Sequence, residues 1–220
     1  MSTASVGNQG RQPISLRQKV VELIRKEIIR CQLEPGQLIN EGDLAGRFQV
    51  SKTPVREALA SLEQEHLLVY TTNKGFMVPN VTVRDIQEIF DARLVFETAL
   101  FKLAVKNITP AEVDVLEAFN DIRVDVHNPA SIDLYLQGNI DFHLGIAAAA
   151  RNSRLYQLYE GLLGEAQRLI YLDFKNNNIL GTWHTSHGHV IEALRQHDEA
   201  RGISAIEEMI ANGKRRMLGL

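Results

Sequence analysis

The stretch SKTPVREALASLEQEHLLVYTTNKGFMVP, residues 51–79, constrains the fold more than any other part of the chain. Ser51 or Thr53 can cap a helix, Pro54 suits a first turn, and Glu57 lies within a residue of capping-box distance from either. The spacing predicts a helix from near Pro54 with Val55, Leu59 and Leu62 facing inward. Two β-prone runs follow, 67–71 and 76–79, on either side of an Asn-Lys-Gly turn, which is the pattern of a short hairpin.

Two more helices precede this unit. Ser15 stands before LRQKVVELIRKEIIRCQL, in which Val20, Leu23, Ile24, Ile28 and Leu33 recur at helical spacing. The EPGQ turn at 34–37 ends that helix, because Pro35 disfavours helical backbone before it and Gly36 permits a turn. NEGDLAGRFQV then reads as a short second helix with Leu44, Ala45 and Phe48 inward. Three helices and a hairpin make a winged helix-turn-helix over 13–79, behind a flexible tail at 1–12. In such a module the helix after the tight turn enters the major groove with its N-terminal residues at the bases. Lys52, Thr53 and Arg56 fall within one turn there. Arg56 can present its two-pronged guanidinium to guanine O6 and N7, while Thr53 and Lys52 reach phosphates or base edges. Lys74 and Gly75 suit a wing tip, a charge beside a residue that permits close backbone approach. The bland alternative is that Arg56 pairs with Glu57 or Glu63 on a solvated helix face.

Charge follows the same division. Residues 11–80 hold ten Lys/Arg against eight Asp/Glu, and residues 81–220 hold fourteen against nineteen, so a net charge of −3 conceals a mildly basic front end. That balance is too acidic for an architectural nucleoid-type protein. The longest apolar runs, such as IAAAA at 146–150, fall far short of the roughly 20 residues a bilayer demands. The polar N-terminus lacks the apolar core of an export signal, so a cytoplasmic location is expected. Cys31 is the only cysteine, which rules out an internal disulfide and a Cys-based zinc knuckle.

From residue 82 to 220 the chain reads as an all-helical second domain, with helices at 82–106, 110–127, 131–150, 153–174, 180–197 and 199–217. The whole is therefore mainly α. In the first of these, Ile86, Phe90, Leu94, Phe101 and Ala104 form an inward stripe, interrupted by Arg93 and Glu97 at i, i+4 spacing. Buried charges must be paired. Either the two tie the bundle together, or Arg93 points into a cavity and clamps a ligand carboxylate. His143 with Asp141, or His187 with a nearby carboxylate, could in principle act as a general base, but no nucleophile elbow, phosphate loop or HExxH accompanies either, so no enzymatic activity is expected.

The segment LEPGQLINEGDLAGRFQVSKTPVREALASLEQEHLLVYTTNKGFMV resembles the DNA-binding domain of the GntR family, with its PG turn, the LA of helix two, VSKTPVREAL and a glycine-containing wing in order. Gly42 stands where many members carry a basic residue, and His66 where glycine is common. The six C-terminal helices resemble the FCD-type effector domain of the FadR subfamily, in its VanR-like six-helix branch. The resemblance implies a ligand-responsive transcriptional regulator, a repressor rather than an activator, whose effector is a small organic acid. Because one reading head gives limited specificity, a homodimer on a near-palindromic double-stranded operator follows. It also implies where a ligand would sit: near Arg93, Glu97, Asn139, His143 and His187. FadR-type domains that bind a metal offer an Asp and a His one turn apart and two later His. Here those positions fall on Asn139, His143, His187 and Met209. An amide and a thioether are poor replacements for a carboxylate and an imidazole, so a divalent metal such as zinc or nickel is disfavoured, with His184 as the nearest substitute donor.

Overall fold

The computed structural model describes residues 15–125, 127–177 and 182–219, without the side chains at 176, 177 and 182–184. The expected tail at 1–12, the His184 donor and the expected start of a helix at 180 lie outside the described residues.

The N-terminal unit contains α1 (Leu16–Ile29), α2 (Glu41–Phe48), α3 (Lys52–Gln64), β1 (Val69–Thr71) and β2 (Gly75–Met77). Ser15 and Gln18 close a capping box on α1, and Asn40 caps α2 by accepting from the amides of Gly42 and Asp43. Val20, Ile24, Ile28, Leu44, Val55, Leu59 and Leu62 fuse into one core beneath the hairpin. The strands pair antiparallel, Val69 with Met77 and Thr71 with Gly75. The Pro-Gly turn is pinned to this wing: the Gly36 amide donates to the Val78 carbonyl at 2.8 Å, and Leu38 bridges to Met77.

The second unit comprises α4 (Val83–Asn107), α5 (Pro110–Asn120), α6 (Pro129–Ala149), α7 (Ser153–Asn177), α8 (Thr182–Arg195) and α9 (Glu199–Leu218). Thr82 with Asp85 and Thr109 with Glu112 form capping boxes, and Pro110 and Pro129 open their helices where no amide hydrogen is missed. Helix α4 lies at the centre, against α6, α7 and α9. Its approach to α9 depends on Gly202, since a Cβ there would fall inside the Phe101 ring. Among the described residues no helix is long and apolar enough to cross a membrane.

Among the described residues, ion pairs and a hydrogen bond tie the units. Asp133 on α6 pairs with Lys26 at 2.6 Å and with Arg30, both on the α1 side. Arg168 on α7 donates from Nη1 to the Pro79 carbonyl at 2.9 Å, in the segment that links the units.

Several expectations are corrected. Helix α3 begins at Lys52 with Ser51 in the N-cap position, but the Ser51 side chain makes no cap hydrogen bond and no capping box with Glu57 forms. Leu23 is exposed and Val21 takes its place in the core. Leu33 is buried but lies beyond α1. Leu94 is only partly buried. The helix expected at 110–127 stops at Asn120, because Ile122 packs directly on the backbone of α6 at Gly138, where a Cβ would stand 2.5 Å from its Cδ1. That contact and the β-branched Ile122 and Val124 draw the chain out of helix. His66 takes a left-handed φ of 59°, which gives a physical reason for the glycine common at that place.

Candidate functional site

Two sites stand at opposite ends of the chain. At the first, Lys52, Thr53 and Arg56 are exposed along the leading turns of α3, and Lys74 is exposed beside Gly75 at the hairpin. Gly75 has φ 90° and open space around it. The four charged or polar side chains singled out from sequence are thus all open to solvent. Arg56 is paired with neither Glu57 nor Glu63. Its partner is Glu41, the first residue of α2: Nε donates at 3.2 and 3.1 Å and Nη2 at 2.8 Å to the carboxylate. Lys52 leans over the start of α2, its Nζ 3.8 Å from where a Cβ on Gly42 would be. An ammonium from α3 thus stands beside Gly42.

At the second site α4, α6, α7, α8 and α9 converge. Arg93 and Glu97 are 6% and 5% exposed, and Arg93 Nε donates to Glu97 Oε1 at 2.8 Å. Tyr159 donates to the same oxygen at 2.9 Å, while His143 Nδ1 lies 3.2 Å from Oε2. With its proton on Nδ1, His143 leaves a lone pair on Nε2, which faces Arg93 Nη2 at 3.4 Å. Burial alone would push the Glu97 carboxyl up. The Arg93 charge, helped by His143 and Tyr159, outweighs it and holds the group at about 2. Burial and the neighbouring Glu97 carboxylate push the Tyr159 phenol well above its ordinary value. Arg93 also stacks over the Phe90 ring, 5.5 Å from its centre.

Arg93 and His143 form one wall of a cavity of about 40 Å³, whose other polar lining is Asn139, Asp173, Ser186, His187 and Arg216. That space admits a few water-sized groups. His187 stacks on Phe142 at 3.9 Å, and Asn139 Nδ2 lies 3.3 Å from its Nε2. Arg216 on α9 grips Asp173 on α7 at 3.2 Å through Nε and 2.9 Å through Nη2. The Arg216 side chain is 28% exposed and that of Asp173 6%, so Arg216 reaches toward solvent from a carboxylate as buried as the Arg93–Glu97 pair.

Arg93 thus ties the bundle through Glu97 and also lines the cavity. Asn139, His143, His187 and Met209 all line that cavity. Their chemistry does not fit a divalent metal. Two imidazoles, an amide and a thioether make a weak donor set, and His143 Nε2 lies 3.4 Å from the Arg93 guanidinium. Among the described residues no three His, Cys, Asp or Glu side chains are grouped to hold a metal ion. Tyr159, Asp173 and Arg216 were missed from sequence. Tyr159 reads as one more apolar residue on α7, and Asp173 and Arg216 meet only through the tertiary fold.

A winged helix with an exposed basic face, joined to an all-helical domain, defines a DNA-binding transcriptional regulator. Residues 16–78 match the bacterial regulatory proteins of the gntR family, and residues 88–212 match the FCD domain. The chain belongs to the GntR family and carries an FCD domain. It is 28% identical over 173 residues to the Nta operon transcriptional regulator of Aminobacter aminovorans, covering 78% of this chain and 80% of that protein. To the gluconate operon transcriptional repressor of Bacillus subtilis it is 28% identical, covering 71% of this chain and 64% of that one. The fold is that of E. coli McbR/YncC, with a TM-score of 0.76 at 21% identity over 94% of this chain and 99% of the other. These relatives are regulators rather than enzymes.

Proposed function

We propose that this chain is a repressor that binds a near-palindromic operator as a homodimer in the cytoplasm, and that a small organic acid in the FCD cavity changes its grip on DNA. The observation that carries the ligand response is a shared framework. Helix α6 bears Asn139 and His143 in the cavity and Asp133 against α1; α7 bears Asp173 in the cavity and Arg168 against the linker. A ligand that shifts α6 against α7 must act on both ties, which gives the two sites a coupling free energy. The operator-binding form and the ligand-binding form then differ in where the reading heads stand. An acid is favoured because Arg93 and Arg216 both face the cavity and each retains donors beyond its carboxylate partner. Gluconate, the name carried by one relative's operon, is itself a carboxylate. The ligand is held by Arg93, Arg216 and neutral groups such as Asn139, without a metal.

A thermal-shift screen against small carboxylic acids tests this reading, since a selective ligand raises the melting temperature by mass action. Arg93→Gln and Arg216→Gln should each abolish or weaken that shift; each also takes a cation from a buried carboxylate, Glu97 or Asp173, so the shift is read against each variant's own lowered unliganded melting temperature. A chain stabilised equally by neutral amides of the same acids would refute carboxylate recognition.

At the DNA face, Arg56→Ala should lower affinity for the selected operator roughly tenfold to a hundredfold and relax preference at one base pair per half-site. Lys74→Ala should weaken binding to all duplexes alike and flatten the salt slope by about one. Electrophoretic titration against selected and scrambled duplexes separates the two. An Arg56→Ala protein with an unchanged sequence profile would remove Arg56 from base reading.

A further inference from the structure

Glu41 and Arg56 come from different helices, fifteen residues apart, and the carboxylate meets the guanidinium from its side. A guanidinium has five N–H donors in one plane. The contacts at Nε and Nη2 use the side edge and leave the end edge, Nη1 with the outer N–H of Nη2, directed away from Glu41. That end edge offers two parallel donors, the fork that matches guanine O6 and N7. We infer that Glu41 is a specificity-determining positioning residue, which holds Arg56 from behind so that its end edge faces the major groove and its charge is masked from indiscriminate phosphate contact. The inference rests on the reading of Arg56 as a base-contacting side chain.

A carboxylate on a surface that meets a polyanion is repelled by it, so its presence needs a compensating gain. Two gains follow from the geometry. A long side chain already fixed in one arrangement gives up less conformational freedom when it docks. An arginine whose charge is already matched releases fewer counterions from unrelated DNA, so it adds less to non-specific affinity and more to discrimination. The carboxylate is itself well placed: Glu41 stands in the first turn of α2, where the helix end favours a negative charge, beneath the Lys52 ammonium that leans over Gly42. With the Arg56 side chain 71% exposed, the pair contributes little to fold stability. Its effect belongs in DNA binding.

The test selects sequences from a random duplex library at fixed salt with the full chain, unaltered and as Glu41→Gln, Glu41→Asp and Arg56→Ala, and titrates each against an unrelated duplex over a salt series. Arg56→Ala is expected to erase preference at one base pair in each half-site. Glu41→Gln should cut discrimination at that same pair at least severalfold, raise affinity for the unrelated duplex, and steepen the log–log salt slope by about one. Glu41→Asp keeps the charge but is too short for the side-on grip, so it should lose discrimination with little change in slope. Full discrimination in both Glu41 variants, with Arg56→Ala still erasing the preference, overturns the positioning role and leaves Arg56 as an unaided reader. An unchanged profile in Arg56→Ala instead removes the base-reading role beneath it. Unaltered melting curves for the Glu41 variants establish that the outcome is read on folded protein.

Discussion

Glu97→Ala is expected to destabilise the FCD domain by about 3–5 kcal/mol, the range for removing one partner of a buried ion pair. Glu97 accepts from Arg93 and Tyr159 and lies within hydrogen-bond reach of His143. Without it, a guanidinium that is 6% exposed has lost its counter-charge and the Tyr159 hydroxyl has lost its acceptor. Since a domain is stable by only about 5–15 kcal/mol in total, much of the helical unit's stability would be gone. Calorimetry or denaturant unfolding of the full chain reads this as a lowered transition for the helical unit. Replacing both partners, Arg93→Met with Glu97→Leu, should cost clearly less than the sum of the single changes, because no buried charge is left unpaired. The double variant should also have lost its response to carboxylic acids. Additive single and double changes would show that the pair is not coupled as its geometry requires.

The same carboxylate sets an acid limit. Its folded value of about 2 lies below the ordinary 4.5, so it contributes stability that is fully present above about pH 4.5 and is lost as pH falls toward 2. Glu97→Gln, already destabilised, should show a shallower loss across that window than the unaltered chain. Equal slopes in the two proteins would assign the acid limb to other carboxylates.

The reading head was legible because its determinants are local. Helical spacing put Val55, Leu59 and Leu62 inside, and a Pro-Gly turn and an Asn-Lys-Gly turn punctuate the chain where the backbone turns. The Arg93–Glu97 pair was legible for the same reason, since i, i+4 residues share a helix face. What remained hidden is what tertiary folding brings together. Glu41 displaced Glu57 and Glu63 as the partner of Arg56 because the helix-turn-helix sets the start of α2 beside the first turns of α3, while Glu57 and Glu63 remain exposed on α3 itself. Asp173 and Arg216 lie on helices that the sequence places but cannot pair. The early end of α5 is a packing decision made at Gly138, a residue in the next helix. Local propensity carried no sign of it.

The second large effect concerns the metal that the FCD cavity resembles a place for. A closed zinc site uses about four N, O or S donors, and an anionic ligand offsets the ion's charge where water is scarce. In this chain His143 Nε2 lies 3.4 Å from Arg93 Nη2, so an ion bound there would sit beside a fixed positive charge. His187 Nε2 is approached by Asn139 Nδ2 at 3.3 Å, an amide nitrogen where a ligating position needs an oxygen anion. Met209 adds a soft sulfur that divalent zinc or nickel holds weakly. The unaltered protein should therefore retain no stoichiometric metal after chelation and dialysis, as read by elemental analysis. Changing Asn139→Asp with Met209→His supplies the anion and a third imidazole, and should raise zinc affinity at least about tenfold in competition with a chelating dye. Adding Arg93→Gln to that pair should raise it further by removing the opposing cation, at some loss of stability because Glu97 is then unpaired. About one tightly held metal per unaltered chain would reverse this conclusion, and would require donors other than the amide and the thioether to complete the shell.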